Sequence, residues 1–173
     1  MFVILAAMEK EAKYIDCPNA KVIVTGIGVI NVIKTLADKL ASGELKLTDK
    51  LINVGYAGSN QYEVGDIIAI DKTQRLCPSA TIEEPVFELN HFPMENKIEG
   101  TGTCFTADDF CNEIINEIPA VDMELYYIKA MGFTNLCSFK IISDNLNYVG
   151  YEKFKAEEAW IRMNKLLDEA INK

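Results

Sequence analysis

The stretch Lys50-Leu51-Ile52-Asn53-Val54-Gly55-Tyr56-Ala57-Gly58-Ser59 decides the fold class. Residues 50–56 form a short, nearly continuous apolar run, which is typical of a strand buried on both faces of a sheet. Residues 55–59 then form a glycine turn, which marks the end of such a strand. The stretch therefore predicts a buried strand whose far end delivers a turn to the edge of a sheet.

The same pattern recurs along the chain. Four further apolar runs predict strands over residues 2–7, 21–25, 66–71 and 138–142. Apolar residues at helical spacing lie between and after them, over residues 28–41, 108–118 and 151–171. The irregular segment 76–99 predicts a long connection with one edge strand. Strands that alternate with helices predict a layered α/β fold with a largely parallel sheet, in one domain over residues 1–173.

Composition excludes several classes of function. The 17 Lys and Arg residues against 26 Asp and Glu give a net charge of −9, so the basic excess of a nucleic-acid-binding protein is missing. No run of about 18 apolar residues predicts a membrane span. The five cysteines form no Cys-x-x-Cys pair, and the first residues lack the positive region of a signal peptide, so we expect reduced thiols in a cytoplasmic protein. With His91 as the one histidine, we expect no metal site.

Acids and glycine turns follow the predicted strands. Glu11 comes after the first strand and Asp144 after the last, while Gly26-Ile27-Gly28 and residues 55–59 follow the second and third. Ligands of open α/β sheets bind beyond the carboxyl ends of the strands, so we expect these features to meet in one site. The Gly26-x-Gly28 turn lacks the third glycine of a dinucleotide motif, and it is either a tight connection or a backbone that approaches a ligand.

The acids also have two interpretations. A glutamate in the first turn after a strand is often only a favourable charge at a helix N-terminus, so Glu11 and Asp144 are either structural or catalytic. Val121-Asp122-Met123-Glu124 alternates apolar and acidic residues before the helical run 125–131. This alternation places one acid inward, unless the segment is a solvated helix start.

Seven short blocks occur along the chain in this order: Ala7-Met8-Glu9-Lys10-Glu11, Thr25-Gly26-Ile27-Gly28, Asn53-Val54-Gly55-Tyr56-Ala57-Gly58, Val64-Gly65-Asp66-Ile67-Ile68, Thr101-Gly102-Thr103-Cys104-Phe105, Ala120-Val121-Asp122-Met123-Glu124 and Ile142-Ser143-Asp144. Together they resemble the nucleoside phosphorylase and nucleosidase superfamily, and most of all its 5′-methylthioadenosine/S-adenosylhomocysteine nucleosidases. The resemblance implies a three-layer α/β/α fold around a twisted, mixed and mostly parallel sheet. It also implies cleavage of the bond between a base and a ribose.

The resemblance implies two catalytic acids. Asp144 matches the acid that protonates the leaving purine, and Glu11 matches the acid that orients and deprotonates the attacking water. Cleavage builds positive charge on the sugar and negative charge on the base, which these two groups would balance. We therefore expect burial to raise the pKa of Asp144 while Glu11 stays ionised.

The resemblance also implies a binding set. Glu124 matches the acid that holds the ribose hydroxyls, with the Met123 backbone beside it. Phe105 matches the aromatic residue that stacks on the base, and the Thr106 backbone lies near the base edge. Three more positions complete the set: Met8 beside the catalytic acid, Lys140 where the nucleosidases have an arginine near the water, and Tyr56 where they have a small serine.

Three functions stay open. The first is an N-ribosyl hydrolase for an adenine nucleoside with a 5′-thio substituent, such as methylthioadenosine or S-adenosylhomocysteine. The second is a phosphorylase or a hydrolase of another nucleoside. Asn53 stands where related phosphorylases have the arginine that suits phosphate, which favours water. The third is a weakly active nucleoside-binding module, which the bulk of Tyr56 favours. The resemblance implies a homodimer or larger homo-oligomer, and no metal or organic cofactor.

Overall fold

The computed structural model describes residues 2–77, 80–91, 94–111 and 117–172. Among them, no helix is long and apolar enough to cross a membrane. The strands and helices, in chain order, are β1 (Phe2–Ala6), α1 (Glu9–Ala12), β2 (Lys21–Val24), α2 (Gly28–Ala41), β3 (Lys50–Gly58), β4 (Ile67–Arg75), β5 (Phe87–Glu88), β6 (Gly100–Thr106), β7 (Ala120–Asp122), α3 (Leu125–Ala130), β8 (Asn135–Asp144), α4 (Tyr148–Lys153) and α5 (Glu157–Asn172).

Strand β3 lies at the centre of the sheet. Its first half pairs in parallel with β1, which in turn pairs with β2. On its other side β3 pairs in parallel with the whole length of β8. Its last residue, Gly58, pairs with Val121 of β7 in the antiparallel direction. Parallel pairs outnumber antiparallel ones, which confirms the mixed, mostly parallel sheet.

Part of the sheet closes on itself. From β3 the hydrogen-bonded path runs through β8, β4, β6 and β7, and then returns to β3. Strands β4 and β8 are antiparallel, and β5 extends the sheet as a short edge strand beside β4. The closed path carries the carboxyl ends of β3, β7 and β8 to one rim, where the residues that follow them lie close together.

Helices cover both faces of the sheet. On one face, α2 and α3 bury Val32, Leu36, Leu125 and Ile128 in one hydrophobic cluster. On the other face, α5 buries Trp160, Met163 and Leu167 in a second cluster. Strand β1 contributes alternate residues to the two clusters, Val3 and Leu5 to the first, Ile4 and Ala6 to the second. Burial of alternate residues on opposite faces explains the unbroken apolar run and confirms the three-layer architecture.

The predicted elements match the structure to different degrees. Helix α2 has the predicted bounds, and β1 to β3 lie where the apolar runs predicted them. The predicted helix over 151–171 is instead two helices, because Phe154 has an extended backbone that ends α4. The prediction of a helix over 108–118 is wrong at both ends, since residues 108–111 and 117–118 are not helical. Its middle, residues 112–116, lies outside the described residues.

Candidate active site

A cavity of about 410 Å³ opens at the carboxyl ends of β1, β3, β7 and β8. Acids, aromatic rings and the glycine-containing end of β3 line it together. The structure thus brings Glu11 and Asp144 into one site, as the positions after the strands predicted. The lining residues are Ala7, Met8, Lys10, Glu11, Ile27, Tyr56, Ala57, Gly58, Phe110, Val121, Asp122, Met123, Glu124, Ser143, Asp144, Tyr148 and Tyr151.

Glu11 is a buried carboxylate held by backbone donors. It lies in the short helix α1 and is 1% exposed. Its Oε1 accepts a hydrogen bond from Tyr56 N (3.0 Å) and its Oε2 accepts one from Met8 N (2.9 Å). Burial raises the pKa of Glu11, while these two N–H groups and the Lys140 charge oppose that rise. Burial therefore raises the pKa of Glu11 as well as that of Asp144, and the expectation that Glu11 stays ionised remains a prediction.

Asp144 is the last residue of β8, and it also lines the cavity. Its Oδ2 accepts a hydrogen bond from the Ser143 hydroxyl (2.8 Å), and its Oδ1 accepts one from Asn147 N (3.2 Å). Burial raises the pKa of this carboxyl, and the hydrogen bonds from Ser143, Asn147 and Leu146 oppose the rise. The direction agrees with the expectation for a carboxyl group that must carry a proton near neutral pH.

Two glycines of β3 make room for the two acids. A Cβ atom on Gly55 would lie 2.9 Å from Glu11 Oε1, and one on Gly58 would lie 3.0 Å from Asp144 Oδ1. Side chains do not tolerate such distances without a shift of their neighbours. The two glycines in the central stretch of sequence therefore serve both acids, which explains their spacing along one strand.

Glu124 is the third acid of the cavity, and it follows β7. Its Oε1 accepts a hydrogen bond from Gly28 N (3.0 Å), at the start of α2. Burial and the nearby Asp122 charge raise the pKa of Glu124 to about 7, against the opposing charge of Lys140. The Gly26-x-Gly28 turn therefore donates a backbone N–H to Glu124, a contact that neither interpretation of the turn, a tight connection or a backbone close to a ligand, included.

Lys140 lies behind the cavity and not in its lining. Its side chain is 2% exposed, and its Nζ lies 2.8 Å from Asp122 Oδ2. Asp122 Oδ1 also accepts a hydrogen bond from the Thr106 hydroxyl (2.6 Å). Sequence reasoning singled out Lys140 and Thr106 for the substrate but assigned no role to Asp122, whose contacts depend on three separate strands.

The aromatic residues of the cavity differ from the predicted one. Phe105 packs against a third hydrophobic cluster, formed by Ala107, Ile118, Val121 and Leu146, and does not line the cavity. Phe110, Tyr148 and Tyr151 line it instead. Their positions carried no signal in the sequence, because they lie in irregular segments or on a short helix, outside the recognisable blocks.

Tyr56 lines the cavity with its ring, while its hydroxyl is engaged elsewhere. That oxygen accepts a hydrogen bond from Trp160 Nε1 (2.9 Å), and the ring meets Phe154 edge to face at 5.4 Å between centroids. Burial raises the pKa of Tyr56 to about 12. The tyrosine is therefore anchored to α5, on the far side of the sheet from α2.

Lys10 provides the positive charge at the mouth of the cavity. It is exposed, and its Nζ hydrogen-bonds the Tyr151 hydroxyl and lies 4.4 Å from the centroid of that ring. Within the described part of the chain, no three His, Cys, Asp or Glu side chains are grouped closely enough to hold a metal ion. The lining of the cavity offers carboxylates, backbone donors and aromatic rings.

Comparison with known proteins places this geometry in a known fold. No protein-family model and no curated protein matches the sequence. Solved structures do match over nearly the whole chain. The 5′-methylthioadenosine/S-adenosylhomocysteine nucleosidase of S. pneumoniae, solved with the transition-state inhibitor MT-ImmA, gives a TM-score of 0.78 at 20% identity, with 98% of this chain and 97% of that chain covered.

Two more structures agree. The corresponding nucleosidase of Neisseria meningitidis, in complex with methylthio-immucillin-A, gives a TM-score of 0.78 at 17% identity and covers 98% of this chain and 97% of its own. The futalosine hydrolase of Helicobacter pylori gives 0.75 at 17% identity, with 99% and 97% covered. The chain therefore has the fold of the 5′-methylthioadenosine/S-adenosylhomocysteine nucleosidases.

Proposed function

We propose that the protein is an N-ribosyl hydrolase that cleaves the bond between adenine and ribose in a nucleoside such as methylthioadenosine or S-adenosylhomocysteine. The observation that carries the proposal is the meeting of three buried carboxyl groups, Glu11, Glu124 and Asp144, around one cavity. The fold supports it, since similar structures are nucleosidases solved with nucleoside analogues.

Each carboxyl group has a distinct task in the proposed reaction. Asp144, whose pKa is raised by burial, donates a proton to a ring nitrogen of the purine as the C1′–N bond breaks. Glu11, held by two backbone N–H groups, accepts a proton from water as the water oxygen bonds to C1′. Glu124 binds the ribose hydroxyls beside the Met123 backbone. The products are free adenine and the free sugar.

The distribution of arginines supports water over phosphate as the nucleophile. A phosphorylase must bind an anion, and arginine is the residue best suited to phosphate. Both arginines of the chain are engaged away from the cavity, Arg75 with Glu84 and Asp108, and Arg162 with Glu99. With acids on several sides, the cavity suits a neutral nucleophile better than an anionic one.

The same proposal includes self-association through α2. Ile27, which lines the cavity, is 46% exposed, and Ile30 and Ile33 on α2 are 77% and 43% exposed. An apolar stripe that continues from a cavity onto an exposed helix is a surface suited to another protein. We propose that a second copy of the chain covers it. Sedimentation of the wild type and of Ile30→Glu tests this, with a shift to monomer expected only for the variant.

Chromatography of the reaction products tests the proposed activity. Methylthioadenosine is incubated with the protein in buffers with and without phosphate. Free adenine and free methylthioribose in both buffers are the expected result. Adenine release that depends on phosphate would identify a phosphorylase. Absence of release in both buffers, for methylthioadenosine and S-adenosylhomocysteine alike, would overturn the proposal and favour a nucleoside-binding module.

A further inference from the structure

A buried cluster of charged groups forms part of the cavity wall and extends behind it. It contains the ammonium of Lys140 and the carboxylates of Glu11, Asp122 and Glu124, all of them buried. These groups come from α1, β7, the segment after β7, and β8. One cation thus stands among three carboxylates, in a region where charges interact far more strongly than in water.

Asp122 holds the cluster together through its complete set of partners. Its Oδ1 accepts a hydrogen bond from the Thr106 hydroxyl, and its Oδ2 accepts one from Leu125 N (3.0 Å) and faces Lys140 Nζ at 2.8 Å. The Thr106 oxygen in turn accepts a hydrogen bond from Tyr126 N (3.0 Å). Asp122 therefore links β6 and β8 to the first turn of α3, directly after Glu124.

The charge of Lys140 acts on both cavity acids. Burial lowers the pKa of Lys140, but Asp122, Cys104 and Glu124 raise it by a larger amount, so the ammonium stays charged. Its charge opposes the rise that burial causes in the pKa of Glu11 and of Glu124. Asp122, the carboxylate nearest to Lys140, already accepts several hydrogen bonds. The positive charge of Lys140 therefore also favours the charged form of the other nearby acids, Glu11 and Glu124.

We infer that Lys140 and Asp122 form a positioning pair: the Lys140 ammonium places a positive charge behind Glu11 and Glu124, while Asp122 holds that ammonium and fixes the backbone that presents Glu124. The inference rests on the proposed function, because it concerns the acids that bind water and ribose. It replaces the expectation that Lys140 itself lies beside the attacking water.

Two variants separate this role from a merely structural one. The measurement is the pH dependence of kcat/KM for adenine release. Lys140→Met removes the cation, so the acidic limb of the profile is expected to move to higher pH, with a loss of about tenfold or more at pH 6 and a smaller loss at pH 8. Asp122→Asn removes a competing negative charge, so the limb is expected to move to lower pH. Lys140→Arg keeps the charge, and it should restore the wild-type limb.

Three other titratable groups lie near the cluster and must stay constant in the comparison. Lys10 lies near Glu11, Cys104 lies near Lys140, and Asp144 lines the same cavity, and all three stay unchanged in these variants. Lys46→Met removes an exposed lysine outside the cavity and should leave the profile in place. An acidic limb that stays fixed in both Lys140→Met and Asp122→Asn, with kcat/KM reduced equally at every pH, would overturn the inference.

A second readout does not require activity. Carbon-13 NMR titration of the glutamate carboxyl groups is expected to show one or more buried resonances whose midpoint rises in Lys140→Met and falls in Asp122→Asn. If the wild type releases no base, the proposed function fails, but this titration still tests the pair. If Lys140→Met does not fold, the opposite shift in Asp122→Asn and the unchanged titration in Lys140→Arg decide the question.

Discussion

Gly58 and Asp144 lie so close together that a methyl group on Gly58 would stand 3.0 Å from Asp144 Oδ1. The same methyl group would stand 2.9 Å from Leu146 Cδ2. Both neighbours are buried, so neither can move freely into solvent. The position of the candidate general acid thus depends on the absence of a side chain on the central strand.

Gly58→Ala is therefore expected to impair both activity and folding. The added carbon must displace Asp144 or Leu146, at a cost of about 1–3 kcal/mol in the free energy of unfolding. The rate of adenine release should fall by more than the loss of folded protein explains, because the Asp144 carboxyl group is displaced. In the Asp144→Asn background the further loss of activity should be much smaller, which kinetic assays of the double variant check.

Asp144→Asn is expected to abolish base release while the fold stays intact. The amide has the shape of the carboxylate and can still accept the Ser143 hydrogen bond, but it cannot donate the proton that the leaving base needs. A general acid contributes about 10²–10⁴ to the rate. Asp16→Asn, which changes an exposed loop aspartate, serves as the control. Turnover that survives in Asp144→Asn, with a thermal unfolding curve like that of the wild type, would refute the assignment.

Alanine variants of two phenylalanines test where the base lies. Phe110 lines the cavity, so Phe110→Ala should raise KM by an amount that reflects lost stacking, about 1–3 kcal/mol. Phe105 packs in a hydrophobic cluster away from the lining, so Phe105→Ala should lower the melting temperature more than it affects KM. The reverse ranking in steady-state kinetics would locate the base at Phe105, as the resemblance implies.

Glu124 is expected to make folding stability depend on pH. Burial raises its pKa in the folded protein from 4.5 to about 7, so the folded state keeps this proton when the unfolded state has lost it. The proton on Glu124 stabilises the folded state fully below about pH 4. This stabilisation is lost as pH rises to about 7, which lowers the free energy of unfolding by at most about 3 kcal/mol. Glu11 and Asp144 shift in the same direction and add to the slope.

Urea unfolding at several pH values measures this dependence. Glu124→Gln should flatten the loss of stability between about pH 4.5 and 7, because its amide does not titrate. Glu63→Gln changes an exposed carboxyl group and should leave the wild-type slope. A wild-type slope retained in Glu124→Gln would mean that Glu124 is charged throughout this range.

The sequence predicts best those elements whose burial is continuous. Strand β3 and helix α2 were predicted because unbroken apolar runs and helical spacing reflect local packing alone. Strand β6 was missed, since its Gly and Thr residues give a weak pattern, and β7 has only three residues. The return of the hydrogen-bonded path from β7 to β3 depends on one residue pair, Gly58 with Val121, which no local pattern encodes.

Some residues of the candidate site could likewise be predicted from the sequence, and others could not. Glu11 and Asp144 could be predicted, because each directly follows a strand and such positions meet at one edge. The partner of Lys140 could not, since Asp122 lies eighteen positions earlier, on a strand that does not pair with β8 directly. The wall of Phe110, Tyr148 and Tyr151 likewise results from segments that meet only in three dimensions.

The hydrogen bond between Trp160 and Tyr56 gives the protein an intrinsic optical probe. Trp160 is the one tryptophan of the chain, and the tyrosine that its indole N–H contacts forms part of the cavity wall. A bound nucleoside that pressed on the Tyr56 ring would change the surroundings of this single fluorophore. Emission from unlabelled protein could then follow ligand binding and release in stopped-flow experiments, separately from the formation of product.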